Sequence, residues 1–132
     1  SMVQARQLNY PKLIKESTEA VPFLHFHELE WNVPHQIGDC FKLLKQQIDF
    51  EQIEEENRYD IIYFDVFAPN AQPHLWEIPM LERMHRALKK EGLLVTYCAK
   101  GIVKRRLKEV GFDIESIPGP PGKREMTRAH KL

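Results

Sequence analysis

The sequence predicts an α/β fold in which parallel strands, linked by helices, end in an antiparallel pair. Three observations predict it. Between residues 61 and 118, runs rich in β-branched and aromatic residues alternate with runs of helical period, the order that builds parallel strands with right-handed crossovers. The last two β-rich runs are separated only by GPPGK (119–123), a turn sequence too short for a crossover and suited to a hairpin. The chain has 132 residues, enough for one core and too few for two comfortable ones, so a single domain over 1–132 is expected.

Taken in order, residues 3–17 have a helical pattern that Pro11 breaks or restarts. VPFLHFHELEWNVPHQ (21–36) mixes apolar residues with histidines and two prolines and reads as an irregular excursion. FKLLKQQI (41–48) fits a strand or a helix, because periodicity does not separate the two in so short a run. The acidic stretch after it reads as a short helix or loop. IIYFDVFA (61–68) reads as a strand buried on both faces. Pro79 to Lys90 reads as a helix: proline suits the first turn, Leu81, Met84 and Leu88 make the inner stripe, and Lys89, Lys90 and Gly92 end it. LLVTYCA (93–99) is the next strand. GIVKRRLKEVGF gives a helix with Val103, Leu107 and Val110 inward and Gly111 as its stop. DIESIP (113–118) and REMTRAHK (124–131) are the closing strands. A parallel sheet closed by an antiparallel hairpin is what the class I, Rossmann-like methyltransferase fold looks like.

Composition bounds the function classes. The chain is 42% hydrophobic and 29% charged, the balance of a globular, soluble protein. No apolar run approaches the roughly 20 residues that span a membrane, and the N-terminus SMVQARQLNYPKL lacks the apolar core of a signal peptide. Cys40 and Cys98 lack metal-ligand spacing and read as reduced thiols of a cytoplasmic protein. His25, His27 and His35 are spaced poorly for a metal, so no metal site is expected. Net charge is zero but unevenly spread: residues 49–60 are strongly acidic, whereas the segment from Lys100 onward is basic. That basic segment is either a solvated surface or a face for a phosphate backbone.

An aspartate inside the first strong strand needs a reason, because a buried carboxylate is costly unless paired or solvated. In open α/β sheets ligands bind beyond the carboxyl ends of the strands. Asp65 sits near such an end, and Phe67-Ala68-Pro69 follows it at once. Pro69 denies helix continuation, so the chain must run along the sheet edge with Phe67 beside the carboxylate. Trp76, in the same connection, either walls the pocket or packs over the next helix.

FDVFAPNAQPHLW (64–76) resembles the FLDGFAP…P…W signature of the methyltransferase domain of the tRNA 5-methylaminomethyl-2-thiouridine biosynthesis protein family. LVTYCAKGIVKRRLKEVGFDIESIPGPPGKREMTRAHK (94–131) resembles the C-terminal end of the same domain, and Phe41–Asp49 resembles more thinly its third strand with a terminal acid. The resemblance implies an S-adenosylmethionine-dependent N-methyltransferase acting on an aminomethyl group of wobble uridine in tRNA, with an oxidase partner, separate or fused, and no membrane. Carried over by position, Asp65 matches the active-site aspartate near cofactor and amine, and Phe67 the aromatic of that loop. Asp49 matches the acid that accepts from the adenine amino group; Asp39, in Ile-Gly-Asp, competes for that role. Pro69, Trp76 and the Lys123-Arg124-Glu125 loop match the substrate side.

The family's cofactor site opens with a glycine-rich turn of the kind E-x-G-x-G-x-G, and none of the six glycines here makes that motif. A segment like ARQLNYPKL (5–13) would lie in the helix after the family's second strand. The resemblance therefore implies the C-terminal portion of a methyltransferase, without its first two strands, weak or inactive alone. Its exposed sheet edge would be covered by a second copy or by a rearranged 41–48 strand. Two other functions fit the residues: a non-catalytic tRNA-binding module using the basic segment, and a methyltransferase for another amine acceptor.

Overall fold

The computed structural model describes residues 23–122 and 124–132. The helix expected over 3–17, and Lys123, lie outside the described residues. The chain divides into two compact units, residues 1–47 and 48–132.

In the first unit, Phe23–Glu28 forms a short helix, α1, while Pro34–Ile37 (β1) and Phe41–Leu44 (β2) pair as an antiparallel hairpin. The stretch expected to be irregular thus holds a helix and a strand. Local closure explains both. Lys45 Nζ donates to the carbonyls of Phe26 at 2.8 Å and His27 at 3.4 Å, satisfying carbonyls that so short a helix leaves open. Asn32 takes a left-handed φ of 62°, a conformation asparagine tolerates. Its N–H donates to the Lys45 carbonyl at 2.7 Å and its Oδ1 accepts from the Gln47 N–H at 3.1 Å. Phe41–Leu44 is therefore spent in this hairpin and does not fill the edge of the main sheet.

The second unit runs β3 (Tyr59–Tyr63), α2 (Ile78–Ala87), β4 (Leu88–Thr96), α3 (Gly101–Glu109), β5 (Phe112–Pro118) and β6 (Glu125–Lys131). The sheet order is β3-β4-β6-β5. β3 and β4 are parallel, and β6 is antiparallel to both neighbours. The expected crossover and closing hairpin are both present, with the hairpin strand β6 inserted between β4 and β5.

α2 buries Met80, Leu81, Met84 and Ala87, the stripe of an amphipathic helix on a sheet. It stops at Ala87, earlier than Lys90, because the chain entering β3 takes its last carbonyls: the Asn57 and Arg58 N–H groups donate to Arg86 and Ala87, each at 2.9 Å. Leu88 already pairs with Tyr59, and the register then jumps to Ile61 opposite Leu93. Gly92 sits in this irregularity, where a Cβ would lie 2.8 Å from the Lys89 carbonyl oxygen. α3 buries Val103 and Leu107 as expected and is stopped after Glu109 by Val110 and Gly111, the latter with a φ of 103° that suits glycine.

α2 and α3 pack together on one sheet face, where Leu81, Met84, Val103 and Leu107 meet Leu94 and Ala129. Neither α2 nor α3 covers the other face of β3, and there Ile61 is 46% and Tyr63 77% exposed. The expectation of a strand buried on both faces is corrected: β3 is an edge strand buried on one face. It also ends at Tyr63 rather than Ala68, because the Asp65 N–H turns back to the Tyr63 carbonyl at 3.1 Å. No helix among the described residues is long and apolar enough to cross a membrane. Cys40 and Cys98 are free thiols.

Candidate functional site

The parallel pair β3–β4 carries its carboxyl ends to one edge of the sheet, and the two chain segments leaving that edge build a cleft. Phe64 donates its N–H to the Val95 carbonyl at 2.8 Å, one residue beyond the strand. A turn then closes with the Ala71 and Gln72 N–H groups on the Ala68 carbonyl, at 2.8 and 3.1 Å. The 3-10 helix Pro73–Trp76 brings the chain back. The Trp76 ring stands edge-on to Phe64 with centroids 5.2 Å apart, a favoured aromatic geometry. Its Nε1 donates to the Phe67 carbonyl at 2.8 Å. Trp76 is thereby buried and pins the whole connection. Arg106 holds it from α3, donating to the Trp76 carbonyl at 3.2 Å and pairing with Glu77 at 3.0 Å. Lys100 Nζ donates to Asn70 Oδ1 at 2.8 Å, tying the two segments together.

Between them lies a cleft of about 310 Å³ walled by Asp65, Val66, Pro69, Trp76 and segment 96–100, in the size range of small-molecule sites. Asp65 is exposed at its mouth, and Trp76 both walls the cleft and packs in the core. Phe67 follows in the same connection with its ring 72% exposed and its carbonyl held by Trp76. It is not among the residues that wall the cleft. Glu125 begins β6 and pairs with Lys104 at 3.1 Å, while Lys104 also reaches Ser116 Oγ at 2.8 Å. The hydrogen bond from Lys104 holds the Glu125 carboxyl below the usual carboxylate range. Arg124 is exposed beside it. Neither walls the cleft, and Lys123 lies outside the described residues.

Asp49 stands exposed at the start of the 3-10 helix Phe50–Gln52, with its N–H on Gln52 Oε1 at 3.1 Å. It ends no strand, because β2 finishes at Leu44. It does not wall the cleft either. Asp39 lies exposed in the turn between β1 and β2. The structure thus brings Asp65, Pro69 and Trp76 together, and Asp49 is not among the residues that wall their cleft.

The cleft offers the Asp65 carboxylate, which suits the cationic end of a sulfonium cofactor. The chain has no glycine-rich turn, and among the residues of the cleft no second acid is present to hold ribose hydroxyls. The residues therefore fit that cofactor at its reactive end. Among the described residues no group of three or more His, Cys, Asp or Glu side chains is placed to hold a metal.

Sequence reasoning missed segment 96–100, which supplies half of the cleft. Thr96 is buried, with its Oγ1 accepting from the Cys98 N–H at 3.2 Å. Thr127 on β6 donates to the Cys98 carbonyl at 2.8 Å. The signal was available: the rule that singles out Asp65 at the carboxyl end of one strand applies equally to the residues leaving the next.

Residues 3–132 match a family model described as S-adenosyl-L-methionine-dependent methyltransferase. Similar curated proteins include the tRNA 5-methylaminomethyl-2-thiouridine biosynthesis bifunctional protein MnmC of Paracidovorax citrulli, 31% identical over 93 residues, which are 70% of this chain and 13% of that protein. The protein of the same name from Marinomonas sp. is 40% identical over 68 residues, 52% of this chain and 10% of that one. The chain thus spans little more than a tenth of the length of these curated relatives. The crystal structure of MNMC2 from Aquifex aeolicus superposes with a TM-score of 0.65 at 28% identity, over 84% of this chain and 36% of that one. A possible exported protein from Bordetella parapertussis, 15% identical, shares the fold with a TM-score of 0.51 over 67% of this chain and 44% of that one.

Proposed function

The chain belongs to the S-adenosyl-L-methionine-dependent methyltransferase family, whose Rossmann-like arrangement it carries, and from that premise we propose that it serves N-methylation of the aminomethyl group of wobble uridine in tRNA. The observation that carries the reading is Asp65 at the mouth of the cleft, beyond the carboxyl ends of the parallel strands. The names of the curated relatives support a tRNA acceptor, and the word bifunctional in them supports a second activity, which we take to be an oxidase that exposes the amine.

S-adenosylmethionine, when bound, supplies an electrophilic methyl group on a sulfonium. An aminomethyl nitrogen is protonated at neutral pH and cannot attack it. Asp65 attracts the ammonium, accepts its proton and leaves the nitrogen lone pair pointed into the cleft. The exposed ring of Phe67 offers the cation a face nearby. Trp76 keeps both in place through the Phe67 carbonyl and so fixes the line of approach. Arg124 and Glu125 stand on the outer, substrate side in this reading, and Lys123 keeps the substrate-side role that the resemblance implies for it. Asp49 remains the proposed adenine partner, with its test in cofactor binding.

Methyl transfer to tRNA bearing aminomethyl-uridine is the test. Asp65→Asn is expected to lower kcat/KM about 100-fold or more, the scale of a lost general base, with the variant still folded by circular dichroism. Calorimetric titration with S-adenosylmethionine runs beside it, on this chain and on the same residues preceded by a glycine-rich turn. Tighter binding by the second supports the division of the site argued above. An Asp65→Asn protein as active as its parent sinks the reading.

A further inference from the structure

Asp65 lines two cavities. Besides the cleft on the helix side, a pocket of about 80 Å³ opens between the ends of β3 and β4, walled by Tyr63, Asp65, Val95, Tyr97 and Met126 among others. Tyr63 stands opposite Val95 in the parallel pair, and both belong to the sheet face turned away from α2 and α3. The walls are almost wholly apolar, and Asp65 is the one acid among them. Tyr63 is 77% and Tyr97 46% exposed. Two accessible phenol rings and a thioether around a shallow slot suit a flat ring that stacks. Asp65, shared with the cleft, suits a cation carried on that ring.

We infer that this pocket seats the acceptor base: a pyrimidine ring lying against Tyr63 and Tyr97, with its protonated aminomethyl arm turned over Asp65 toward the cleft. The inference rests on the proposed function for the identity of the ring. It assigns the two reactants to two cavities, with the shared carboxylate between them. In the transfer the nitrogen–carbon bond forms as the sulfur–carbon bond breaks, and the ammonium proton passes to Asp65. Tyr63, Tyr97 and Met126 then act on binding rather than on the bond change.

The test is titration of free 5-aminomethyluridine into the isotope-labelled 132-residue chain, followed by NMR. The tyrosine ring signals and the Met126 methyl are expected to shift. Tyr63→Ala is expected to weaken binding about ten-fold, the scale of one lost base–aromatic stack, while Tyr63→Phe stays within about two-fold because it keeps the ring. Shifts confined to the cleft, at Trp76 and Ala99, or affinity unchanged in Tyr63→Ala, overturn the inference and leave the methyltransferase reading standing. Pocket binding without methyl transfer to aminomethyl tRNA by the same residues preceded by a glycine-rich turn has the opposite meaning: the seat stands and the tRNA reading falls.

Discussion

Trp76 shows how one side chain can set a site it does not chemically serve. Its ring packs on Phe64 and its Nε1 donates to the Phe67 carbonyl at 2.8 Å, so the segment carrying Asp65 and Phe67 cannot drift from the sheet. Trp76→Ala is expected to destabilise the chain by about 3–5 kcal/mol, the range for deleting a buried aromatic. Trp76→Phe keeps the packing and loses the hydrogen bond, which costs roughly 1–2 kcal/mol. Urea denaturation measures both; equal losses in the two variants would show that the hydrogen bond carries nearly all of the effect. Asp65 lies at the other extreme. It is exposed and replaceable for stability, and its expected effect is on turnover.

At the scale of elements, α2 meets β5 through His85, whose ring stands edge-on to Phe112 at 4.8 Å. Burial first, and the charge of Lys131 second, push the His85 imidazole below its ordinary value of 6.5. The unfolded chain then binds that proton more readily than the folded one. This contribution to stability is therefore fully present above about pH 6.5 and is lost as pH falls through the lower folded value. Thermal melts at about pH 7.5 and about pH 5.5 are expected to differ more for the parent than for His85→Gln, which has no such proton to take up. An identical pH response in the two proteins would place the acid sensitivity elsewhere. The same element logic accounts for the boundary misread between α2 and β4. Leu88 has the spacing of a helical stripe, but the backbone of residues 57 and 58 captures the carbonyls that a further turn would use.

For the whole molecule, the decisive feature of the second unit is a sheet with helices on one face and β3 at its edge. Among the described residues β3 has a strand neighbour on one side only, and with Ile61 and Tyr63 exposed it offers an edge and apolar side chains to another chain. We expect the chain to self-associate with rising concentration in sedimentation velocity, and Ile61→Lys to shift it toward monomer. A parent protein that stays monomeric throughout would show that the edge is protected in solution.

The sequence by itself determined the strand–helix alternation from residue 61 onward, the closing hairpin, the stop at Gly111 and the standing of Asp65 as the residue to explain. These are local signals: β-branched runs, a helical stripe, turn glycines and a carboxylate where none belongs. The FDVFAPNAQPHLW segment further carried the family resemblance that the matched model shows. Tertiary structure alone decided what depends on which chains meet. Phe41–Leu44 reads equally as strand or helix until β1 pairs with it. The exposure of Ile61 and Tyr63 follows from where the helices lie, which no window of sequence encodes. Segment 96–100 became part of the site because β4 lies parallel beside β3, so that two strand ends distant in sequence share one edge. Asp49 does not wall this cleft: it stands at the start of the 3-10 helix Phe50–Gln52 and ends no strand, a placement no local sequence signal distinguished from a strand end.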